Sequence, residues 1–337
     1  MYKLSDNIYN KPLRRDEPKL KLWTSAGLLL TYNCPAACEI CYYNCNPQKQ
    51  GLMSIDNALS AWKSLKDLAG AAAKIHITGG EPFVYWEHLK TLLAEAQKEQ
   101  LGTIDAVETN AYWADDNKEI TNRLRYLVEH NVRKLKISYD PFHGEFIDYD
   151  KVRRLADIAS KFFDGDRLQV RWQDDLDNPV DMKNISQEKK LQCYIESLEK
   201  HPCRFTGRAG QKLSQHFAKK TVSQISYNCK NSFLSAKGVH IDPLGNVFSG
   251  VCSGIIVGNI NELPLAEIWK NFNPTQKDFF DVLSSDGPVG FLDKAAKHRY
   301  EKCRLYSGKC HLCTDLRQNF FDNGLFRPII GPIQCYS

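Results

Sequence analysis

The stretch that decides the fold is CPAACEIC at residues 34–41, which follows a short apolar run, GLLL, at residues 27–30. Three and then two residues separate its cysteines, which are Cys34, Cys38 and Cys41. The segment TGGEP begins 37 positions after the last of them and occupies residues 78–82. Because four thiolates normally close a [4Fe–4S] cluster, a loop with three cysteines would leave one iron open to another ligand.

This pattern resembles the radical S-adenosylmethionine (radical SAM) enzymes, whose signature is Cys-x3-Cys-x-apolar-Cys with a downstream Gly-Gly-Glu-Pro segment. Ile40 fills the apolar position, and the second segment is matched by Gly79, Gly80, Glu81 and Pro82. The resemblance implies that the open iron chelates the amino and carboxylate groups of SAM. It also implies that an electron, supplied by a flavodoxin or ferredoxin, cleaves SAM to methionine and a 5′-deoxyadenosyl radical, which abstracts hydrogen from a substrate.

A structural zinc site is the alternative interpretation of the cysteine loop. Cys-x2-Cys pairs are frequent zinc ligands, and Cys45 offers a fourth ligand. Zinc would leave the Gly-Gly-Glu-Pro turn after a strand unexplained, so the iron–sulfur interpretation is favoured.

Composition places the chain among ordinary globular proteins. Its 337 residues are 42% hydrophobic and 25% charged, which suits one large α/β barrel or two domains. No window reaches the roughly 20 apolar residues of a membrane span, and the N-terminus lacks the apolar core of a signal peptide. We therefore expect a cytoplasmic protein. The formal charge of +5 is dispersed and provides no basic stripe for nucleic acid.

The cysteines indicate metal sites. Twelve cysteines in a chain without an export signal argue against a disulfide framework. They cluster at residues 34–45 and 229–335, with only Cys193 and Cys203 between. This distribution predicts metal binding at two ends of the fold.

Strand and helix patterns alternate through the first two thirds of the chain. Apolar runs predict buried strands over residues 27–31, 74–78, 104–109, 134–138 and 168–172. Helical patterns lie between them, the first with Ser54 as its N-cap. Repeated β-α units predict a parallel sheet with right-handed crossovers. The resemblance implies an α/β fold, a partial (β/α)6 TIM-type barrel.

The predicted domain organisation has three parts. An N-terminal extension occupies residues 1–24, the partial barrel residues 25–215, and a small cysteine-rich α+β domain residues 216–337. In the last part, residues 238–248 read as a hairpin of two short apolar strands, and a helix is expected around residues 265–272.

Polar residues follow each predicted strand, at the edge where parallel α/β folds place their active sites. The resemblance implies that the Gly79-Gly80 turn and the Glu81 carboxylate bind the SAM amino group. It implies ribose contacts from Ser138 first, then Asn110 and Asp140. Asn110 has the alternative role of capping a turn.

Arg171 is a charged residue inside a predicted apolar strand, where burial requires an anionic partner. The SAM carboxylate is one such partner, and a salt bridge to Asp140 or Glu108 is the other. His143, in the loop over the barrel mouth, is placed either to contact substrate or to serve the loop alone.

The C-terminal cysteines resemble the SPASM and twitch extensions, which bind auxiliary [4Fe–4S] clusters. A full SPASM pattern has seven cysteines, with four residues between the hairpin glycine and the next cysteine, whereas six residues separate Gly245 from Cys252 here. We therefore expect one auxiliary cluster, with the ligands Cys229, Cys252, Cys310 and Cys313. A second cluster and a zinc ribbon are the alternatives.

Leftover thiols have a mechanistic use, because a cysteine that faces the substrate can donate a hydrogen atom to a carbon radical and so give epimerisation. The candidates are Cys45, Cys193, Cys303 and Cys335.

The sequence thus predicts a radical SAM enzyme with an auxiliary cluster. Families with this combination mostly modify ribosomally made peptides by crosslinking, thioether formation or epimerisation, and others oxidise alcohols of small molecules such as amino sugars. A peptide substrate is favoured. Little chain precedes the predicted barrel, so a leader peptide would need a separate binding protein or the basic segment at residues 11–21. A non-catalytic iron–sulfur or zinc scaffold and a glycyl-radical activase are the alternatives from other classes.

Overall fold

The computed structural model describes residues 2–225, 227–250 and 252–336. Its eight strands are β1 Ser25–Leu29, β2 Lys74–Thr78, β3 Ile104–Thr109, β4 Leu135–Ser138, β5 Leu168–Arg171, β6 Gly238–Ile241, β7 Asn246–Ser249 and β8 Ile256–Asn259. Its α-helices are α1 Ile55–Ala69, α2 Trp86–Lys98, α3 Asn117–Glu129, α4 Pro141–Gly144, α5 Tyr149–Ala159, α6 Gln173–Asp177, α7 Gln187–Lys200, α8 Gly207–Lys212, α9 Lys230–Leu234, α10 Leu265–Asn271, α11 Asp278–Ser285, α12 Leu292–Ala296 and α13 Lys309–Asp322. Within these residues no helix is long and apolar enough to cross a bilayer.

All eight strands belong to one sheet, in the order β5-β4-β3-β2-β1-β6-β7-β8. Strands β1 to β5 pair in parallel with their neighbours, and helices α1, α2, α3 and α5 connect them. The sheet does not close on itself, because β5 and β8 are its two edges. An α/β fold of the partial TIM-barrel type is therefore confirmed.

The sixth parallel strand does not come from the predicted barrel region. Between β5 and residue 215 the described chain forms only helices and loops. Strand β6 instead lies beside β1 and pairs with it in parallel, with Gly27 opposite His240. It then pairs with β7 in the antiparallel hairpin that the sequence predicted. The sheet thus crosses the predicted boundary at residue 215, and the three-part domain division remains a prediction.

The predicted strand and helix positions agree with the structure to within two residues at most ends. Strands β2 and β3 have the predicted bounds. Strand β1 begins and ends two residues early, since its register with β2 runs from Ser25 to Leu29. Helix α1 begins after Ser54, whose hydroxyl accepts a hydrogen bond from the Asn57 N–H at 3.1 Å, as its predicted N-cap role requires.

Strand β5 differs most from its prediction. It is an edge strand in which half-buried and exposed side chains alternate, rather than a strand buried on both faces. Residue Trp172 leaves the strand with a φ of 61°, so the strand ends one residue early. Arg171 is exposed. The prediction of a buried Arg171 was wrong because an edge strand has a neighbour on one side only.

Candidate active site

A cavity of about 290 Å³ lies at the carboxyl ends of the parallel strands. Every residue predicted to bind the cluster or SAM lines it, namely Cys34, Cys38, Ile40, Cys41, Gly79, Gly80, Glu81, Asn110, Ser138, Asp140 and Arg171. The structure therefore brings together residues that are up to 137 positions apart in the sequence.

The cysteine loop supplies three thiols to this cavity. Cys34 and Cys38 are buried, and burial raises the pKa of both thiols. A hydrogen bond with the Cys45 thiol lowers the pKa of Cys41 to about 6. Asn110 donates from Nδ2 to the Cys34 sulfur at 3.5 Å. Metal ligation requires thiolates, so three thiols that share one cavity match the donor set of an iron–sulfur cluster.

The Gly-Gly turn lies directly against the backbone that leads into the cysteine loop. Gly80 donates from its N–H to the Thr31 carbonyl at 2.6 Å. A Cβ on Gly80 would lie 2.0 Å from the Asn33 carbonyl oxygen, and Gly79 has a φ of 139°. Only glycine fits both positions, since a Cβ atom would collide with main chain at one and be strained at the other.

Glu81 is buried, and its carboxylate is engaged within the protein. It accepts hydrogen bonds from the Phe83 N–H at 3.1 Å, the Thr109 hydroxyl at 2.9 Å and the Asn110 N–H at 2.7 Å. Burial raises its pKa to about 7. The carboxylate therefore links the turn after β2 to the end of β3. This structural role was not part of the predicted SAM contact.

Asn110 and Asp140 also have structural duties. Asn110 accepts a hydrogen bond at Oδ1 from the Tyr112 N–H at 3.1 Å, which is the turn-capping role considered above. Asp140 caps α4 by accepting from the His143 N–H at 2.9 Å, and its other oxygen lies 2.7 Å from His143 Nδ1. His143 lines the cavity beside Cys38. Ser138 lines it from the end of β4.

Arg171 reaches the cavity without either predicted ion pair. Glu108 accepts a hydrogen bond from Lys136 Nζ at 3.2 Å, and Asp140 is paired with His143. The salt bridge to Asp140 or Glu108, one of the two alternatives considered for Arg171, is not formed among the described residues. The guanidinium instead lies 4.7 Å from the centre of the Trp172 ring.

Two histidines that the sequence analysis did not single out lie on the inner face of the sheet. The rings of His76 and His240 meet edge to face, 5.3 Å apart, and both line the cavity. Strand β1 lies between them, with Gly27 opposite each. Burial lowers the pKa of His76 to about 4 and also lowers that of His240. Polar and apolar residues alternate along β2, and this pattern could have identified His76.

Replacing Gly27 by alanine is expected to disturb this pair. The new Cβ would lie 2.3 Å from His240 Cδ2 and 2.5 Å from His76 Nε2, so one imidazole must move. Overpacking of this kind costs about 1–3 kcal/mol. Thermal unfolding of the variant beside Gly308→Ala, where a Cβ meets nothing within 4 Å, would measure the effect. Equal melting temperatures for the two variants would contradict the expectation.

A second cavity, of about 160 Å³, brings the other four predicted ligands together. Cys229, Cys252, Cys310 and Cys313 line it with Arg204 and Arg317. Cys310 and Cys313 lie within the first five residues of α13. Burial raises the pKa of Cys229 to about 12 and that of Cys252 to about 11. Among the described residues, no three Cys, His, Asp or Glu side chains converge closely enough to hold a single ion.

The remaining cysteines are spread through the fold. Cys45 lines the first cavity. Cys203 lies within electrostatic reach of Arg171 and of Cys310, and burial raises its thiol pKa to about 11. Cys193 is buried in α7, Cys303 is exposed beside Asp315, and Cys335 is buried beside the Tyr32 hydroxyl. Neither cavity is lined by these last three.

Comparison with known proteins agrees with this geometry. Residues 28–162 match the family model of the radical SAM superfamily. The putative peptide biosynthesis protein YydG of Bacillus subtilis (strain 168) is 25% identical over 150 residues, which cover 42% of this chain and 44% of that protein. The chain thus spans less than half the length of the curated relative that it matches.

Two solved structures are similar in shape. BtrN in complex with AdoMet and 2-DOIA has 16% identity and a TM-score of 0.46, with 80% of this chain and 90% of that chain covered. Native anSMEcpe with bound AdoMet and Cp18Cys peptide has 15% identity and a TM-score of 0.47, with 89% and 97% covered. At these scores the likeness carries no argument about activity. The three-cysteine loop and the Gly-Gly-Glu-Pro turn both lie within residues 28–162, the range that matches the radical SAM superfamily model.

Proposed function

We propose that this protein is a radical SAM enzyme that modifies a ribosomally made peptide. The observation that carries the proposal is the meeting of three thiols from one loop with the Gly79-Gly80 turn in a single cavity. Cys34, Cys38 and Cys41 would hold a [4Fe–4S] cluster, with SAM on the open iron. When bound, this group supplies a 5′-deoxyadenosyl radical that abstracts hydrogen from the substrate.

The chain's own residues would bind and orient SAM. The backbone of the Gly79-Gly80 turn is free of side chains and can accept from the amino group. Arg171 is a cation beside the cavity whose nearby carboxylates are already paired with other residues, so it is suited to the SAM carboxylate. Ser138 offers a hydroxyl to the ribose. Ile40 and the buried surroundings of Cys34 would limit the access of water.

The second cavity would hold an auxiliary [4Fe–4S] cluster in a SPASM- or twitch-like domain at residues 216–337. Four thiols around one cavity supply a complete ligand set for such a cluster. Zinc with the same four ligands is the competing occupant.

A peptide substrate is supported by the description of the YydG relative as a putative peptide biosynthesis protein. Epimerisation would need a thiol at the site of reaction, and Cys45 would be a candidate because it lines the first cavity. Cys203 lies within electrostatic reach of Arg171, which itself lines that cavity. Dehydrogenation of a small-molecule alcohol is the alternative reaction.

The test of the proposal is SAM cleavage by the anaerobically reconstituted full chain. With dithionite as reductant, the wild type is expected to form 5′-deoxyadenosine, measured by liquid chromatography and mass spectrometry. Cys303→Ala, at an exposed position away from both cavities, is expected to retain this activity. Iron-loaded wild type that forms no 5′-deoxyadenosine would contradict the proposal.

The substrate class is tested by co-expression with short peptides encoded beside the gene. A peptide crosslink is expected to appear as the loss of two hydrogens. Epimerisation in D2O is expected to appear as the gain of one deuterium without other change. Unchanged peptides, together with oxidation of an added amino sugar, would favour the small-molecule alternative.

A further inference from the structure

The cysteine loop is held by residues that lie outside the matched domain. Arg208, in helix α8, donates from Nη1 to the Cys38 carbonyl at 2.7 Å. Its Nη2 donates to the carbonyls of Asn44 at 3.0 Å and Cys45 at 2.8 Å. Its backbone N–H donates to the Cys41 carbonyl at 3.0 Å. One residue thus contacts four carbonyls of the loop.

Helix α8 begins directly against this loop. Gly207 has a φ of 55°, and a Cβ at this position would lie 2.3 Å from the Tyr42 carbonyl oxygen. The close approach places the Arg208 guanidinium over the loop. A planar guanidinium has five N–H donors in a fixed fork, whereas an ammonium is a point donor on a flexible stem. Lysine therefore cannot reproduce three side-chain bonds to carbonyls on both flanks of Cys41.

A second contact reaches the loop from the other cysteine group. Ser253 follows Cys252 in the chain, and its hydroxyl donates to the Tyr42 carbonyl at 2.6 Å. The Ser253 carbonyl in turn accepts from Arg317 Nη1 at 2.7 Å. Ser253 and Arg317 are both buried. The segment between Cys41 and Cys45 is therefore fixed to the neighbourhood of the second cavity.

Helix α8 is also joined to α13, which carries two of the C-terminal cysteines. Thr314, the neighbour of Cys313, donates from its hydroxyl to the Phe205 carbonyl at 3.1 Å. A Cβ on Gly210 would lie 2.8 Å from Thr314 Cγ2, so the two helices are in close contact. Both groups of cysteines thus attach to the same short helix.

We propose that Arg208 and Ser253 are positioning residues that hold the segment from Cys38 to Cys45 in the conformation in which the thiols face the cavity. The inference rests on the proposed function, since it takes Cys34, Cys38 and Cys41 as cluster ligands. It adds that this conformation is set by residues outside the matched range 28–162, with Arg208 in α8 and Ser253 in the segment that carries the C-terminal cysteines. The pre-formed loop then needs no reorganisation when metal binds.

Two independent readouts test the proposal, with Arg125→Ala on an exposed part of α3 as the control. The first is the alkylation rate of loop thiols in metal-free protein, measured by mass spectrometry of peptides. Arg208→Ala is expected to raise the rate at Cys38 and Cys41 about tenfold, which corresponds to the loss of roughly one charged hydrogen bond. Ser253→Ala is expected to raise it about threefold, since a neutral hydrogen bond is lost.

The second readout is the EPR spectrum of the dithionite-reduced protein, with and without SAM. Arg208→Ala is expected to lose at least half of the signal that responds to SAM, while the SAM-insensitive signal of the tail is kept. Arg208→Lys keeps the positive charge but lacks the planar guanidinium. Its SAM-responsive signal is expected to lie between those of the wild type and the alanine variant. If Arg208→Ala fails to fold, the lysine variant carries the test.

Wild-type alkylation rates and an unchanged SAM response in both Arg208 variants would overturn the inference. Failure of the proposed function is distinguishable from this result. In that case the wild type itself would show no SAM-responsive signal, and the alkylation rates of metal-free protein would still report whether Arg208 holds the loop.

Discussion

Simultaneous replacement of Cys34, Cys38 and Cys41 by alanine is expected to abolish 5′-deoxyadenosine formation and to leave about four irons per chain after anaerobic reconstitution. The three thiols line one cavity, whereas the four remaining predicted ligands line another. Removal of the first set therefore leaves the second intact. Iron and sulfide analysis, together with EPR, measures the outcome.

The mirror variant, Cys310→Ala with Cys313→Ala, provides the matched control. It is expected to keep the SAM-responsive cluster and to lose the other one. If the triple variant retains no iron, the tail holds zinc or no metal, which elemental analysis would separate. That result would exclude a mechanism that uses an auxiliary cluster and would favour a redox-neutral reaction. If four irons survive in the triple variant, the result favours oxidative coupling or electron-assisted epimerisation.

Gly80→Ala is expected to destabilise the whole domain. The added Cβ would lie 2.0 Å from the Asn33 carbonyl oxygen, and main chain cannot rotate away as a side chain does. Because β1 and β2 hold both segments in register, relief of the clash must shift the cysteine loop. We expect a loss of roughly 3 kcal/mol of stability, at the upper end of typical overpacking. For a chain of 337 residues this lowers the melting temperature by roughly 4 °C.

Differential scanning calorimetry and iron content of the same sample measure this effect. Gly308→Ala is a suitable control, since nothing lies within 4 Å of a Cβ there. The melting temperature of Gly27→Ala is expected to lie between those of Gly80→Ala and Gly308→Ala, because the neighbours of Gly27 are imidazole rings that can turn. A Gly80→Ala protein that melts with the wild type and binds the same iron would refute the steric argument.

Local sequence signals were sufficient for much of the fold and the site. The apolar runs of β2 and β3 and the cap at Ser54 depend on neighbours in the sequence, and they appear where predicted. In short motifs such as the cysteine loop, the spacing of residues along the chain sets which side chains lie together. Parallel strands then place these motifs at one edge of the sheet, which is why distant residues such as Cys34 and Ser138 share a cavity.

Long-range pairing could not be predicted in the same way. The sequence does not reveal that β5 is an edge strand, so Arg171 was expected to be buried. It does not reveal that β6 lies beside β1, and His240 was therefore not considered beside His76. The engagement of Glu81 by Thr109 and the Asn110 N–H depends likewise on how two strand ends meet.

The position of β6 beside β1 has a consequence for the integrity of the protein. Strand β1 is an interior strand of the sheet only because β6 covers its free side. Without β6, the backbone N–H and C=O groups along that side would be unpaired. They could then pair with a strand of another chain, which promotes aggregation. The C-terminal third therefore contributes directly to the central sheet. The same C-terminal segment that carries Cys252, Cys310 and Cys313 thus also supplies the strand that protects β1.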